Sequence, residues 1–238
     1  MNKSASEANE LLQKVAQANV AGVNVAVFPP FPYLAAASKI LEGSSIKYGA
    51  QNAYFELQGA FTGEVSMSIL YSLGCSYCII GHSERRNYFG ETDSIIAKKI
   101  SAACQSSITP ILCVGEDIGS RRAGREKGVV ARQLIAALDS FGANEELIVA
   151  YEPVWAIGSG TTATPAQANE MCSFISGQLH ELGIKGDRVL YGGSVVPQNA
   201  GDLLEKKGIN GLLLGSASLG DGFLQIIEIA KDEYKNRI

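Results

Sequence analysis

Apolar positions along the chain recur at two alternating spacings, one helical and one strand-like, from end to end. A helical stripe covers 3–19, with Ala8, Leu11, Leu12 and Val15 on one face. The same period predicts helices near 33–41, 66–73, 93–106, 127–141, 199–206 and 223–234. Thr164 reads as an N-cap, Pro165 takes the first helical position and Gln167 completes a capping box, so a helix is predicted to about Leu182. Short aliphatic runs at 23–28, 46–51, 77–80, 110–114, 147–151, 189–191 and 211–214 predict strands.

These strands lack polar alternation, which is how strands covered on both faces read. Each passes to the next through a helix, which implies parallel pairing. The expected architecture is therefore a closed α/β barrel, with residues 1–238 forming one domain, since no linker or composition break divides them. The count falls short by one: about eight helices accompany about seven strands, and the chain opens on a helix. A first strand is expected to precede Met1; an open seven-stranded sheet is the competing architecture.

Composition narrows the function classes. Hydrophobic residues make up 46%, enough for a large core, and charged residues 18%, with a formal net charge of -4. A mildly acidic chain without a basic block offers no nucleic-acid footprint. No apolar run reaches the roughly 18 residues of a membrane span. The polar start lacks a signal peptide's apolar core, so a cytoplasmic protein is expected. Five cysteines without a secretory signal argue against a disulfide framework. Cys75 and Cys78 have CxxC spacing, but Cys78 opens a strand, so both are read as buried small apolar residues.

In a barrel, chemistry sits at the C-terminal strand ends. Gly81-His82-Ser83-Glu84 follows the strand at 77–80. His82 there is either a catalytic imidazole or a satisfied structural one. The other histidine, His180, lies mid-helix and reads as solvated. Glu152 ends an apolar strand, where a carboxylate is costly unless it is paired or used; a rim ion pair is the bland alternative. The segment 156–163 reads as a mobile loop. Gly192-Gly193-Ser194 and Gly215-Ser216 each follow a strand and precede a helical start, which suits either tight turns or backbone capture of a phosphate. Gly158 to Ala163 formally fits G-x-G-x-x-A, but five residues separate it from its strand, and the next strand lacks the ribose-binding acid. The long loop 51–64 exposes Phe61 among Thr62, Gly63 and Glu64, and suggests a contact surface.

Several segments together resemble the triosephosphate isomerase family: 80–86 around His82, 150–158 around Glu152, 191–195, and 59–64 with Gln51-Asn52. The likeness runs along essentially the whole chain, in order and near family spacing. It implies a TIM (β/α)8 barrel, here lacking its first strand, and interconversion of dihydroxyacetone phosphate and glyceraldehyde 3-phosphate, a step of glycolysis and gluconeogenesis. This enzyme is a worked example of pKa tuning in physical enzymology. The resemblance makes Glu152 the base and His82 a neutral electrophile. It assigns phosphate contacts to Gly158, Ser194, Gly215 and Ser216, and a supporting place to Glu84. It also implies a homodimer through the loop Phe61, Thr62, Gly63 and Glu64, and no cofactor or metal. Three departures stand out. The family's first strand ends in Gly-Asn-Trp-Lys, and this chain begins just after that point, so the lysine has no match. That absence leaves a non-catalytic phosphate-binding barrel, or another sugar-phosphate barrel enzyme such as a lyase, as the alternative function. Ser216 replaces a glycine, and Thr161 replaces a lysine of the lid.

Overall fold

The computed structural model describes residues 1–139, 141–142, 145–157, 162–184 and 188–236. Helices and strands alternate: α1 (Ala5–Ala16), β1 (Ala26–Val27), α2 (Leu34–Ile40), β2 (Lys47–Ala50), α3 (Met67–Ser72), β3 (Tyr77–Ile80), α4 (Ser83–Phe89), α5 (Asp93–Gln105) and β4 (Thr109–Val114). They continue as α6 (Ile118–Arg122), α7 (Glu126–Leu138), β5 (Ile148–Tyr151), α8 (Pro165–Glu181), β6 (Arg188–Tyr191), α9 (Pro197–Leu204), β7 (Gly211–Leu212) and α10 (Asp221–Asn236). The seven strands form one sheet in sequence order, every pair parallel. An unpermuted parallel order with a helix after each strand is the wall of a TIM-type barrel, as the alternation predicts.

Strand period explains why the runs are apolar on both faces. Ile79, Ile111, Cys113, Ile148 and Ala150 point into the barrel, joined by Phe28, Tyr77, Leu190 and Leu213. Their neighbours Cys78, Ile80, Leu112, Val114, Val149, Tyr151, Val189 and Tyr191 face outward and pack with the helices in the largest cluster. Each fully buried Leu or Ile contributes about 1.5–3 kcal/mol, so both faces hold the sheet. A second cluster joins Leu12 and Val15 of α1 to Ala37 of α2 and Phe223 and Ile227 of α10.

Helix starts follow from side-chain chemistry. The Thr164–Gln167 capping box forms as expected, and Ser4 with Glu7 makes another at α1. Two differences have physical causes. β1 and β7 are shorter than their apolar runs, because each pairs with a single neighbour among the described residues, so few ladder bonds define them. α4 and α6 carry no apolar stripe; each buries only one serine, Ser83 and Ser120, which left nothing periodic to detect.

His180 is exposed on α8, as expected. Cys75 and Cys78 are buried free thiols. Burial pushes Cys75 up to about 11 and Cys78 further still. Among the described residues no helix is long and apolar enough to cross a membrane.

Candidate active site

Glu152 continues the inward parity of Ile148 and Ala150 by one more step beyond β5, so its carboxylate enters the mouth of the barrel. It is 2% exposed. Its position is set by two ladder-like bonds: the Glu152 N–H donates to the Val114 carbonyl at 2.8 Å, and the Val154 N–H donates to the Glu116 carbonyl at 3.1 Å. Gly192, at the end of β6, lies so close that a Cβ there would meet Glu152 Cγ at 3.2 Å.

His82 arrives from the neighbouring strand end. β3 stops at Ile80, Gly81 takes a left-handed φ of 73°, and His82 becomes the N-cap of α4. Its Nδ1 accepts the Glu84 backbone N–H at 3.2 Å. A ring nitrogen that accepts a backbone N–H holds no proton, so a neutral His82 carries its proton on Nε2. Nε2 lies 2.9 Å from Glu152 Oε1, while Glu152 Oε2 accepts the Ser83 backbone N–H at 2.7 Å. The two groups singled out from sequence thus meet directly. Burial pushes the His82 imidazole down, the Glu152 hydrogen bond and charge together with Glu84 pull it up, and the balance lies above 6.5. Beneath the carboxylate, burial and the Glu152 charge hold the Cys113 thiol well up. The Glu84 side chain is 66% exposed and 3.9 Å from Nδ1, so its backbone N–H, not its carboxylate, makes the closer contact with the imidazole.

The base of the loop after β5 carries a residue that sequence reasoning passed over. Glu116, fully buried, accepts the Tyr151 hydroxyl at 3.0 Å and the Trp155 indole N–H at 2.8 Å, with Arg121 at 3.8 Å. Burial pushes its carboxyl up, partly offset by those donors. Glu116 stands two residues past β4, in the outward parity of Leu112 and Val114, whereas Glu152 stands one residue past β5 in the inward parity; the strand-end rule reaches both acids, but only Glu152 faces the barrel mouth. A 3-10 turn, Val154–Ala156, starts the loop, and Ala163 and Thr164 end it. Gly158, Ser159, Gly160 and Thr161 lie outside the described residues, and the G-x-G-x-x-A match lies mostly there with them.

Gly192, Gly193 and Ser194 follow β6 on the Glu152 side, and Gly193 is packed against the Tyr191 hydroxyl, where a Cβ would sit 2.2 Å away. Gly215 and Ser216 are exposed after β7, where Ser216 opens a 3-10 turn through Leu219. Gly215 combines a φ of -83° with a ψ of -113°, outside the regions that side chains favour, and Ser216 is not among the described non-glycine residues with positive φ. No positive φ therefore stands against a serine at 216, while the position that keeps its glycine, Gly215, is the one with the unusual backbone.

Away from this mouth, the loop 51–64 projects. Phe61, Thr62, Gly63 and Glu64 are all exposed, with the Phe61 ring 4.8 Å from Tyr54, itself stacked on Phe55 at 4.3 Å. A groove of about 390 Å³ runs beside it, lined by Tyr54, Leu57, Phe61 and Ile69. A buried network ties this loop to α4 and α5: Lys99 donates to Asn52 and Glu91, and Arg85 donates to Glu91.

The family model described as Triosephosphate isomerase matches residues 1–230. A triosephosphate isomerase of Ralstonia nicotianae is 48% identical over 223 residues, covering 91% of this chain and 90% of that protein. One from Carboxydothermus hydrogenoformans is 51% identical over 208 residues, covering 84% and 82%. One from Aquifex aeolicus is 44% identical over 234 residues, covering 95% of each. With its parallel strand order, its paired His82 and Glu152, and these relatives, the chain belongs to the triosephosphate isomerase family.

Proposed function

We propose that this chain interconverts dihydroxyacetone phosphate and glyceraldehyde 3-phosphate, and that Glu152 and His82 carry the reaction. The observation behind the reading is their 2.9 Å pairing at the barrel mouth beside Gly192. Glu152 takes a proton from the carbon beside the carbonyl. The C–H electron pair forms the carbon–carbon double bond, and the carbonyl pair moves onto oxygen, giving an enediolate. His82 Nε2–H donates to that oxygen. Return of the proton to the neighbouring carbon, with one proton passing by way of His82 Nε2 from the original hydroxyl oxygen to the former carbonyl oxygen, completes the exchange, with no electrons gained or lost. The substrate carbonyl itself acidifies the C–H, so the chemistry calls for no cofactor.

For this to happen, Glu152 must exchange His82 and the Ser83 N–H for the substrate. Once it turns away, the larger pulls that raise His82 go with it, and only the charge of the exposed Glu84 is left of them. Burial and the Glu84 N–H at Nδ1 remain, and both favour the neutral imidazole, whose Nε2 can give its proton to one substrate oxygen and take one from the other. Backbone N–H groups at Ser194, Gly215 and Ser216, with Gly158, hold the phosphate. The resemblance gives the loop from Pro153 to Thr162, whose residues 158–161 lie outside the described ones, the task of excluding water from the site. The exposed Phe61 loop and its groove support a homodimer, and five free thiols suit the reducing cytoplasm.

The test is an isomerase assay on the chain and on Glu152→Asp. Shortening the acid withdraws the base but leaves the phosphate loops alone, so kcat falls by roughly 10²–10⁴, the contribution of a positioned acid–base group, while KM changes little. Absence of turnover in the unaltered chain refutes the activity; near-normal turnover in the variant removes Glu152 from it.

A further inference from the structure

β4 does not stop where its regular pairing does. Beyond Val114 the chain stays alongside β5, through the Val114 carbonyl to Glu152 and the Glu116 carbonyl to Val154. On its other flank the ladder ends at Ile80 with Leu112, because β3 turns away at Gly81 to deliver His82. The cost of placing His82 is a run of β4 backbone with no strand beside it: the Cys113 carbonyl and both polar groups of Gly115. Unpaired groups in a half-buried setting must find partners.

Two side chains take the place of the departed strand. Arg86 Nη2 donates to the Cys113 carbonyl at 3.3 Å, while its Nε donates to the Gly81 carbonyl at 2.9 Å. Gln133 does the rest. Its Oε1 accepts the Gly115 N–H at 2.9 Å and its Nε2 donates to the Gly115 carbonyl at 3.1 Å. Gln133 lies on the buried face of α7 among Val130, Leu134 and Ala137, the one polar residue of that face. A primary amide presents an acceptor and a donor side by side, which is what one extended residue requires of its neighbour.

Gly115 transmits whatever Gln133 fixes. A Cβ at Gly115 would lie 1.7 Å from the Glu152 carbonyl oxygen, so the Glu152 main chain packs directly on it. The next residue, Glu116, holds Trp155 at the start of the loop. We infer that Gln133 is a positioning residue of this site: its amide stands in for the missing strand neighbour of Gly115, and so sets where the Glu152 carboxylate and the Trp155 loop base sit. The inference rests on the isomerase reading for its kinetic arm only.

The experiment compares the unaltered chain with Gln133→Met and Gln133→Glu across pH. Methionine fills the space but makes neither bond. Its kcat should drop about tenfold, part of the ~10²-fold that a 1 Å misplacement costs, with KM little changed because the phosphate loops lie on β6 and β7. Glutamate keeps the acceptor and loses the donor while ionised. When protonated it regains an O–H in the amide's place, so its kcat relative to the unaltered chain should climb as pH falls, while the methionine ratio stays flat. The second readout needs no turnover. Trp155 is the only tryptophan, and its fluorescence anisotropy should fall in Gln133→Met. An unaltered chain without activity fails the isomerase reading and leaves the anisotropy to decide. Unchanged anisotropy in Gln133→Met, an unchanged kcat per folded molecule, or a pH-flat ratio in Gln133→Glu overturns the positioning role.

Discussion

Gly115→Ala is the sharpest perturbation the site offers. The added methyl would lie 1.7 Å from the Glu152 carbonyl oxygen, 2.6 Å from its carbonyl carbon and 3.3 Å from its Cα. All three are backbone atoms, so no rotamer relieves the clash. Opening the contact from 1.7 Å to a tolerable 3.0 Å moves one strand end against the other by about 1.3 Å. The bonds at 2.8 Å to Val114 and 3.1 Å to Glu116 lengthen with it. Overpacking of this kind costs about 1–3 kcal/mol, and each weakened hydrogen bond adds up to about 0.5–1.5 kcal/mol. In a chain of this size, Tm falls by roughly 2–4 °C for each kcal/mol. The larger effect is on rate: a displacement of about 1 Å at the base carries a cost near 10²-fold in kcat. Steady-state kinetics on the folded variant, beside thermal unfolding, measures both. An alanine variant with unchanged kcat and unchanged Tm would refute the contact, and with it the idea that β4 sets the position of Glu152.

His82 should titrate above 6.5 in the free protein by nitrogen NMR and fall when an anionic phosphate ligand displaces Glu152; a value that ignores the ligand contradicts the pairing. Since the folded pKa is raised, the stability from this pair is full below pH 6.5 and is lost as pH rises through the folded value, and Glu152→Gln should flatten that slope of Tm against pH. At the projecting loop, Phe61→Asp should weaken self-association by about 2 kcal/mol, or roughly 30-fold, if its ring is an anchor. Sedimentation showing equal association of both forms would remove Phe61 from the interface.

Much of the fold was legible because apolar strands and striped helices announce themselves, and because Thr164, Pro165 and Gln167 mark the start of α8 in three residues. α4 escaped because its role is to carry His82 on its N-terminus rather than to pack a stripe; its two largest apolar residues, Tyr88 and Phe89, are exposed. Glu152 and His82 were legible from strand-end position. Glu116 also lies near a strand end, but on the outward face, and was overlooked. Gln133 could be read only in part: a polar residue in the apolar period of Val130, Leu134 and Ala137 signals a buried partner, but nothing in sequence says that the partner is the Gly115 backbone. Ser216, which stands where the family has a glycine, shows no positive φ; the unusual dihedrals of that turn belong to Gly215.

The raised thiols have a use in measurement. Burial comes first among the causes that hold all five above their ordinary value; Cys104, the least covered, is pushed up to about 12 with Glu145 contributing. The thiolate is the form that attacks electrophiles, so the folded chain should react slowly with alkylating reagents at neutral pH. Each modification then records an excursion in which a thiol met water. Cys113, beneath Glu152, becomes a clock for opening of the floor of the site, and Cys172, fully buried on α8, a clock for loss of the helical layer. The ratio of their labelling rates separates a local breath of the barrel mouth from unfolding of the whole chain.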